Sequence, residues 1–404
     1  MHKLCANYLI KMIHRPIFDA LAAHLNQPQA TVITGMRRVG KSTAVRFLLD
    51  QVPHNNKIFL DLERAEYRFI LNQSNYKDIE INLTIEGIDF KQPAVIALDE
   101  IQLVPQLPSV MKYLYDTYGV KFIVSGSSSY YLKNRFSESL AGRKRIFEMY
   151  PLDFSEFVSF RGQDADALRQ FANQPFQISF YLKWKELYEE YLRFGGFPEV
   201  VLAGSEADKQ AFIKDLINAY IELDIRLLSD FSASDDLLRL IRLLATRAGS
   251  RVDYTKLSAI LGINRNKLKD YLHLLHYTYF IMPVTVFSKN PDRELSKQQK
   301  MYLADTGILQ ELAQVSSGQV FENAIALQLA RRGKIQYYQK LSGQEIDFIL
   351  EEKTAIEVKE TPVESDLHLL RTRAKGIGIE DCLVVGRYQP MSGFSGFYWG
   401  GSML

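Results

Sequence analysis

The ten residues Thr34 to Thr43, TGMRRVGKST, constrain this chain more than any others. Gly35, Gly40, Lys41 and Ser42 satisfy G-x-x-x-x-G-K-[ST], and the motif stands between an apolar strand-like run, ATVIT, and a helical pattern, which is the setting it requires. Glycines let the backbone N–H groups turn inward around phosphate oxygens, and the following helix adds its positive N-terminal end. Lys41 is expected to reach the β and γ phosphates and Ser42 to hold magnesium, with Arg38, Val39 and Thr43 completing the ATP-binding loop.

A phosphate loop of this kind needs a parallel sheet behind it, and the surrounding sequence supplies one. Apolar runs at 30–35, 57–62, 93–100 and 121–127 alternate with amphipathic segments, the pattern of βαβ units whose strands are buried on both faces. The run PAVIALDE ends in Asp99 and Glu100. After a phosphate loop, Asp99 is expected to complete the magnesium site and Glu100 to polarise the attacking water as general base. The next run ends in SGSSS, where Ser125 or Ser127 is either a contact to the γ-phosphate and its water or a turn former. Arg143, further on, is either a surface arginine or a finger acting from a neighbouring subunit.

A chain of 404 residues exceeds one hydrophobic core, and its 47% hydrophobic and 24% charged residues are those of an ordinary globular protein. The net charge of +2 neither demands nor excludes nucleic acid. Cys5 and Cys382 alone, at opposite ends, fit a reducing cytoplasm and supply no disulfide framework. No run approaches the roughly 20 apolar residues that cross a bilayer, so a cytoplasmic location without membrane attachment is expected.

From about 161 to 248 long helical patterns replace strands. Residues 254–281 then give a helix, a turn at Gly262 to Asn264 and a second helix, followed by strand-like FIMPVTVF and KMYLAD, the order of a winged helix. Asn264, Arg265, Asn266, Lys267 and Lys269 are of types that reach phosphates or base edges, although such an element also serves as a packing module. His273 and His276 have no third ligand type beside them, so zinc is not expected.

After residue 316, a helix bearing Glu322 precedes strand-like KIQYYQK, EIDFILE and TAIEVKE. Asp347 lies ten positions before Glu357, within reach across a hairpin, and Glu357 and Lys359 share one face of their strand. Carboxylates so placed can fix a magnesium ion that polarises a phosphodiester, with the lysine orienting or deprotonating water. The other reading is a hairpin with charges on a solvated face.

TGMRRVGKST, LDEIQ, SGSSS, SLAGRKRIFEMYPLDFSEF and GGFPEVV, in that order, resemble a prokaryotic family of AAA-type ATPases close to the archaeal ATPases of the STAND class. The resemblance implies an α/β multidomain chain, with an additional-strand P-loop sheet flanked by helices in which the SGSSS strand lies between those of TGMRRVGKST and LDEIQ. It also implies a helical middle with a winged helix and a C-terminal restriction-endonuclease-like domain. The C-terminal residues resemble the PD-(D/E)XK nuclease core, with Glu322, Asp347 and Glu357 as metal ligands and Lys359 catalytic, although no proline precedes Asp347. The expected domains are 1–160 (ATPase), 161–248 (helical), 249–315 (winged helix) and 316–404 (nuclease-like). ATP and magnesium are the expected cofactors, DNA a partner and a homo-oligomer an open option. The expected function is ATP hydrolysis coupled to DNA through the C-terminal domain. The alternative is a signalling or regulatory NTPase whose C-terminal domain is a non-catalytic interaction module. GGFPEVV itself has no account beyond a turn that glycine permits.

Overall fold

A computed structural model describes residues 12–127, 142–225, 234–288, 294, 297–340, 343–391 and 393–403. Cys5, together with Ser128 and Ser129 of SGSSS, lies outside these residues. The described residues form two compact units. One comprises residues up to 34, 41–126 and 142–149, and the other comprises Gly35–Gly40, Ser127 and the chain from Tyr150 onward.

The first unit is built on five parallel strands, β1 (Ala30–Thr34), β2 (Lys57–Asp61), β3 (Val95–Asp99), β4 (Lys121–Gly126) and β5 (Lys144–Glu148), in the order β2-β3-β4-β1-β5. Every residue of β1 and β3 is buried, as expected for parallel strands covered on both faces. β4 pairs with β1 through Val32 and Val124 and with β3 through Leu98 and Val124. The SGSSS strand thus lies between the strands of the two phosphate-site motifs, as the resemblance implied. The helix Lys41–Asp50 buries Ala44, Val45 and Leu48 and leaves its N-terminus at the end of β1.

The second unit carries the helices Phe154–Phe160, Ile178–Phe194, Glu206–Ala219 and Ser234–Ala245. The helices Tyr254–Leu261 and Arg265–Tyr277 follow, separated by three residues. Asp253 and Asn264 cap them by accepting first-turn N–H groups, and Asn264 Oδ1 lies 2.8 Å from Lys267 N.

A mixed sheet of seven strands completes this unit: β6 (Ile281–Val286), β7 (Lys300–Leu303), β8 (Ile335–Gln339), β9 (Glu345–Leu350), β10 (Thr354–Lys359), β11 (Asp381–Gly386) and β12 (Tyr398–Trp399). Its order is β12-β11-β10-β9-β8-β6-β7. The β6–β7 pair is antiparallel, and β6 joins β8 in parallel at Thr285↔Gln336 and Val286↔Tyr337. Hydrogen bonding therefore runs across residue 315, where the sequence suggested a domain boundary. The helix Glu364–Lys375 links β10 to its parallel neighbour β11 and packs Leu370 and Ala374 with Ile346, Ile349, Ala355 and Val384.

The same unit explains GGFPEVV. Gly195 takes φ 77°, and a Cβ there would lie 1.9 Å from Asp305 Oδ1. Asp305 Oδ2 accepts the Gly196 N–H at 2.7 Å, while Oδ1 accepts from Gly307 at 2.8 Å and caps the helix Thr306–Leu312. Gly195 is present because the buried Asp305 carboxylate approaches its backbone at a distance no side chain tolerates, and Gly196 because a Cβ there would run into the Leu152 carbonyl.

Candidate functional site

Lys41, Ser42, Asp99, Glu100 and Ser125 come together in the first unit. Lys41 is 4% exposed, with Nζ 3.8 Å from Glu100 Oε1. Asp99 Oδ1 accepts a hydrogen bond from Ser125 Oγ, and the Glu100 N–H donates to the same hydroxyl at 3.3 Å. Burial raises the Asp99 carboxyl above its ordinary value and the Glu100 charge adds to that, while hydrogen bonds from Ser125 and Ser42 and the Lys41 charge oppose it. Of the two serine roles left open by the sequence, Ser125 is tied to Asp99, and Ser127 is buried.

Backbone conformation is unusual along the motif. Gly40 has φ 99°, Arg38 φ 65° and Glu100 φ 55°. A non-glycine residue in the left-handed region carries about 1–3 kcal/mol of strain, and Arg38 and Glu100 both stand at positions assigned to phosphate chemistry. Val39 is fully buried, and Arg38 Nη1 lies 3.4 Å from Glu199 Oε2. The Thr34 hydroxyl, at the end of β1, is buried with no hydrogen-bond partner among the described residues. Lysine ammonium, serine hydroxyl and paired carboxylates, all hard groups, match a triphosphate with magnesium, so the residues fit that group.

Arg143 is paired in its own unit with Asp116, Nε to Oδ1 3.1 Å. It immediately precedes β5, whose register sets Ala30 against Lys144 and Thr34 against Glu148. Arg143 thus stands at the sheet edge opposite the end of β1, about 15 Å away at ~3.3 Å per residue. Within its own unit it is remote from Thr34 and Asp99, which lie at the other end of the sheet.

In the second unit, Arg265, Lys269, His273 and His276 follow one face of the helix Arg265–Tyr277. With Lys297 they line a groove of about 580 Å³ that no aspartate or glutamate among the described residues lines. Asn264 is engaged as the helix cap, and Lys267 pairs with Asp236 at 2.8 Å. Of the basic side chains expected at this helix start, Arg265 and Lys269 face the groove.

The C-terminal residues gather around a lysine that sequence reasoning missed. Lys300 on β7 is 4% exposed, 3.5 Å from Glu322 Oε1 and ion-paired with Glu345. Tyr302 donates its hydroxyl to the same Glu322 oxygen at 2.7 Å. Asp347 Oδ2 accepts the Val358 N–H at 2.8 Å, and the β9–β10 register, read one step on from Ile356↔Phe348, sets it across from Glu357. Glu357 Oε1 pairs with Lys359 at 2.9 Å and Arg373 at 3.4 Å, while its Oε2 is buried without a hydrogen-bond partner among the described residues. Burial raises the carboxyls of Glu322, Asp347 and Glu357, and neighbouring cations oppose the rise. Desolvation lowers the Lys300 ammonium, but Glu322, Glu345 and Asp347 outweigh it and the net shift is upward. Among the described residues no three His, Cys, Asp or Glu side chains converge to hold a metal ion. The set Glu322, Asp347 and Glu357 does not fit a metal as it stands.

Residues 27–158 match the sequence model of an AAA domain. This part of the chain has an AAA-type P-loop ATPase-like fold. Residues 185–319 match the model of a domain of unknown function, DUF8612. The chain is similar to an uncharacterized protein of Haemophilus influenzae, 25% identical over 90% of this chain and 91% of the relative. It is also similar to an uncharacterized protein of Methanocaldococcus jannaschii, 26% identical over 91% of this chain and 85% of that one. Among solved structures, the ORC2 protein of Aeropyrum pernix in its ADP form aligns with 78% of this chain and 98% of its own, at 13% identity and a TM-score of 0.37, too low to build on. No helix among the described residues is long and apolar enough to cross a membrane.

Proposed function

We propose that the AAA domain binds and hydrolyses ATP and that the second unit presents the chain to DNA. The observation that supports hydrolysis is the buried Lys41–Glu100 pair beside the Ser125–Asp99 hydrogen bond. Lys41 is placed to hold the β and γ phosphates. Glu100, when Lys41 turns to phosphate, is released to take a proton from water, and Ser42 with Asp99 would hold magnesium, which neutralises phosphate charge. Ser125 fixes the Asp99 carboxylate from the strand between. Arg143, remote from Thr34 and Asp99 in its own unit, is assigned to a neighbouring copy, which makes a homo-oligomer part of the proposal. Phosphate release by purified protein with ATP and magnesium tests it, with Lys41→Ala as the expected null. Turnover unchanged in that variant would refute the assignment.

DNA as partner rests on the groove lined by Arg265, Lys269 and Lys297, whose positive charge suits a phosphodiester backbone. A winged helix is the matching fold for these two helices and the β6–β7 hairpin. Gel-shift titration with duplex DNA at two salt concentrations tests it.

The order helix, β8, β9, β10, helix, β11 supports a nuclease-like fold for the last part of the chain. The ion pairing of Lys300 nevertheless favours the non-catalytic form of that domain, an interaction module, over a cutting one.

A further inference from the structure

Lys300 has no solvent to fall back on, and a buried ammonium persists only where opposite charge surrounds it. Here the charge comes from Glu322 on the helix Ser317–Ala330 and Glu345 on β9, with Asp347 two residues further along β9. Tyr302, on the same strand as Lys300, ties Glu322 at 2.7 Å. Lys359 and Arg373 close the other half of the cluster on Glu357. A divalent ion and an ammonium repel at such range, so the ammonium disfavours a divalent ion at these oxygens.

We propose that Lys300 is a resident counter-ion to Glu322 and Glu345, with Asp347 further along the same strand, so that the C-terminal sheet is complete without metal. Removing the ammonium leaves an excess of carboxylate and is expected to create a divalent-ion site where the native chain has none. The same ammonium fastens β7 to the strand and helix that follow, a covalently native substitute for a bridging ion. This inference is independent of ATP hydrolysis, because its test contains no nucleotide.

The experiment is titration of the full-length, nucleotide-free protein with Mn²⁺, following loss of the free-ion electron paramagnetic resonance signal. Lys300→Ala is expected to gain one site binding about tenfold tighter or more than anything in the native protein, because affinity follows ligand charge. Adding Glu322→Gln to Lys300→Ala should remove that site. Lys300→Met, which keeps the apolar stem, serves if the alanine variant does not fold. Native protein titrated against Glu322→Gln and Glu357→Gln needs no lysine variant, and identical curves support the proposal. It is overturned if native protein binds Mn²⁺ at a site that either variant abolishes, or if the folded lysine variants bind no more than native.

Discussion

At the residue scale, Glu100 makes the sharpest claim. Its carboxylate is held by Lys41 at 3.8 Å and by Gln102, and its backbone is in the left-handed region at φ 55°. Such strain persists only where the surroundings enforce it. Glu100→Gln keeps the size of the side chain and removes the base, so ATP turnover is expected to fall about 100-fold or more while nucleotide binding survives. Phosphate release beside fluorescent-nucleotide titration separates the two effects.

Asp305 makes a second residue-scale claim, on pH. Burial raises its carboxyl from 3.8 to about 6, against the hydrogen bonds of Gly196, Gly307 and Ile308. A carboxyl raised in the folded state binds its proton more tightly there than in the unfolded chain. Its contribution to folding is therefore largest below about pH 4 and declines by roughly 3 kcal/mol as pH rises to about 6. Asp305→Asn should flatten that part of the stability profile in denaturant melts, while lowering stability by about 1–3 kcal/mol because its amide faces the Gly196 N–H. A profile as steep as the native one would assign the slope to other groups.

At the element scale, the Gly195–Gly196 turn and the Arg265–Tyr277 helix carry distinct predictions. Gly195→Ala places a Cβ 1.9 Å from Asp305 Oδ1 at φ 77°, and a loss of about 2–4 kcal/mol is expected in thermal or urea unfolding. Arg265→Glu with Lys269→Glu removes two groove cations, so duplex binding should weaken and its log–log salt slope should shrink by about 2. An unchanged slope would place the phosphate contacts elsewhere.

Legibility in the sequence also divides by element. The strands 30–34, 57–61, 95–99 and 121–126 lie within the runs read from their apolar pattern, because buried parallel strands leave few polar residues to blur the signal. Lys41, Ser42 and Asp99 were equally legible, since a loop and a strand end fix them locally. Gly195 and Gly196 were not, because the groups that require them, the Asp305 carboxylate and the Leu152 carbonyl, lie far away in the sequence. Lys300 was hidden for the same reason. Its strand read as apolar, and only β6–β8 pairing brings β7 near Glu322 and Glu345.

At the scale of the whole molecule, continuity of the seven-stranded sheet decides what can be separated. β6 has β7 on one side and β8 on the other, and Phe287 N donates to Tyr337 O at 2.6 Å just beyond the strand. A chain ending at residue 315 would keep the hairpin but leave the β8 side of β6 bare, and would strand Lys300 without Glu322 and Glu345. Unpaired strand edges recruit other chains. Such a fragment is expected to aggregate, as read by light scattering or gel filtration, whereas a true domain boundary there would give a monodisperse product.

Parallel pairing of β6 with β8 also has a kinetic face. Gln336 follows Thr285 by 51 positions, so at ~5–20 residues per second the ribosome delivers the partner about 3–10 s late. During that interval the nascent hairpin must wait with one flank open, which makes the pace of translation through this stretch a determinant of how much protein reaches its native state.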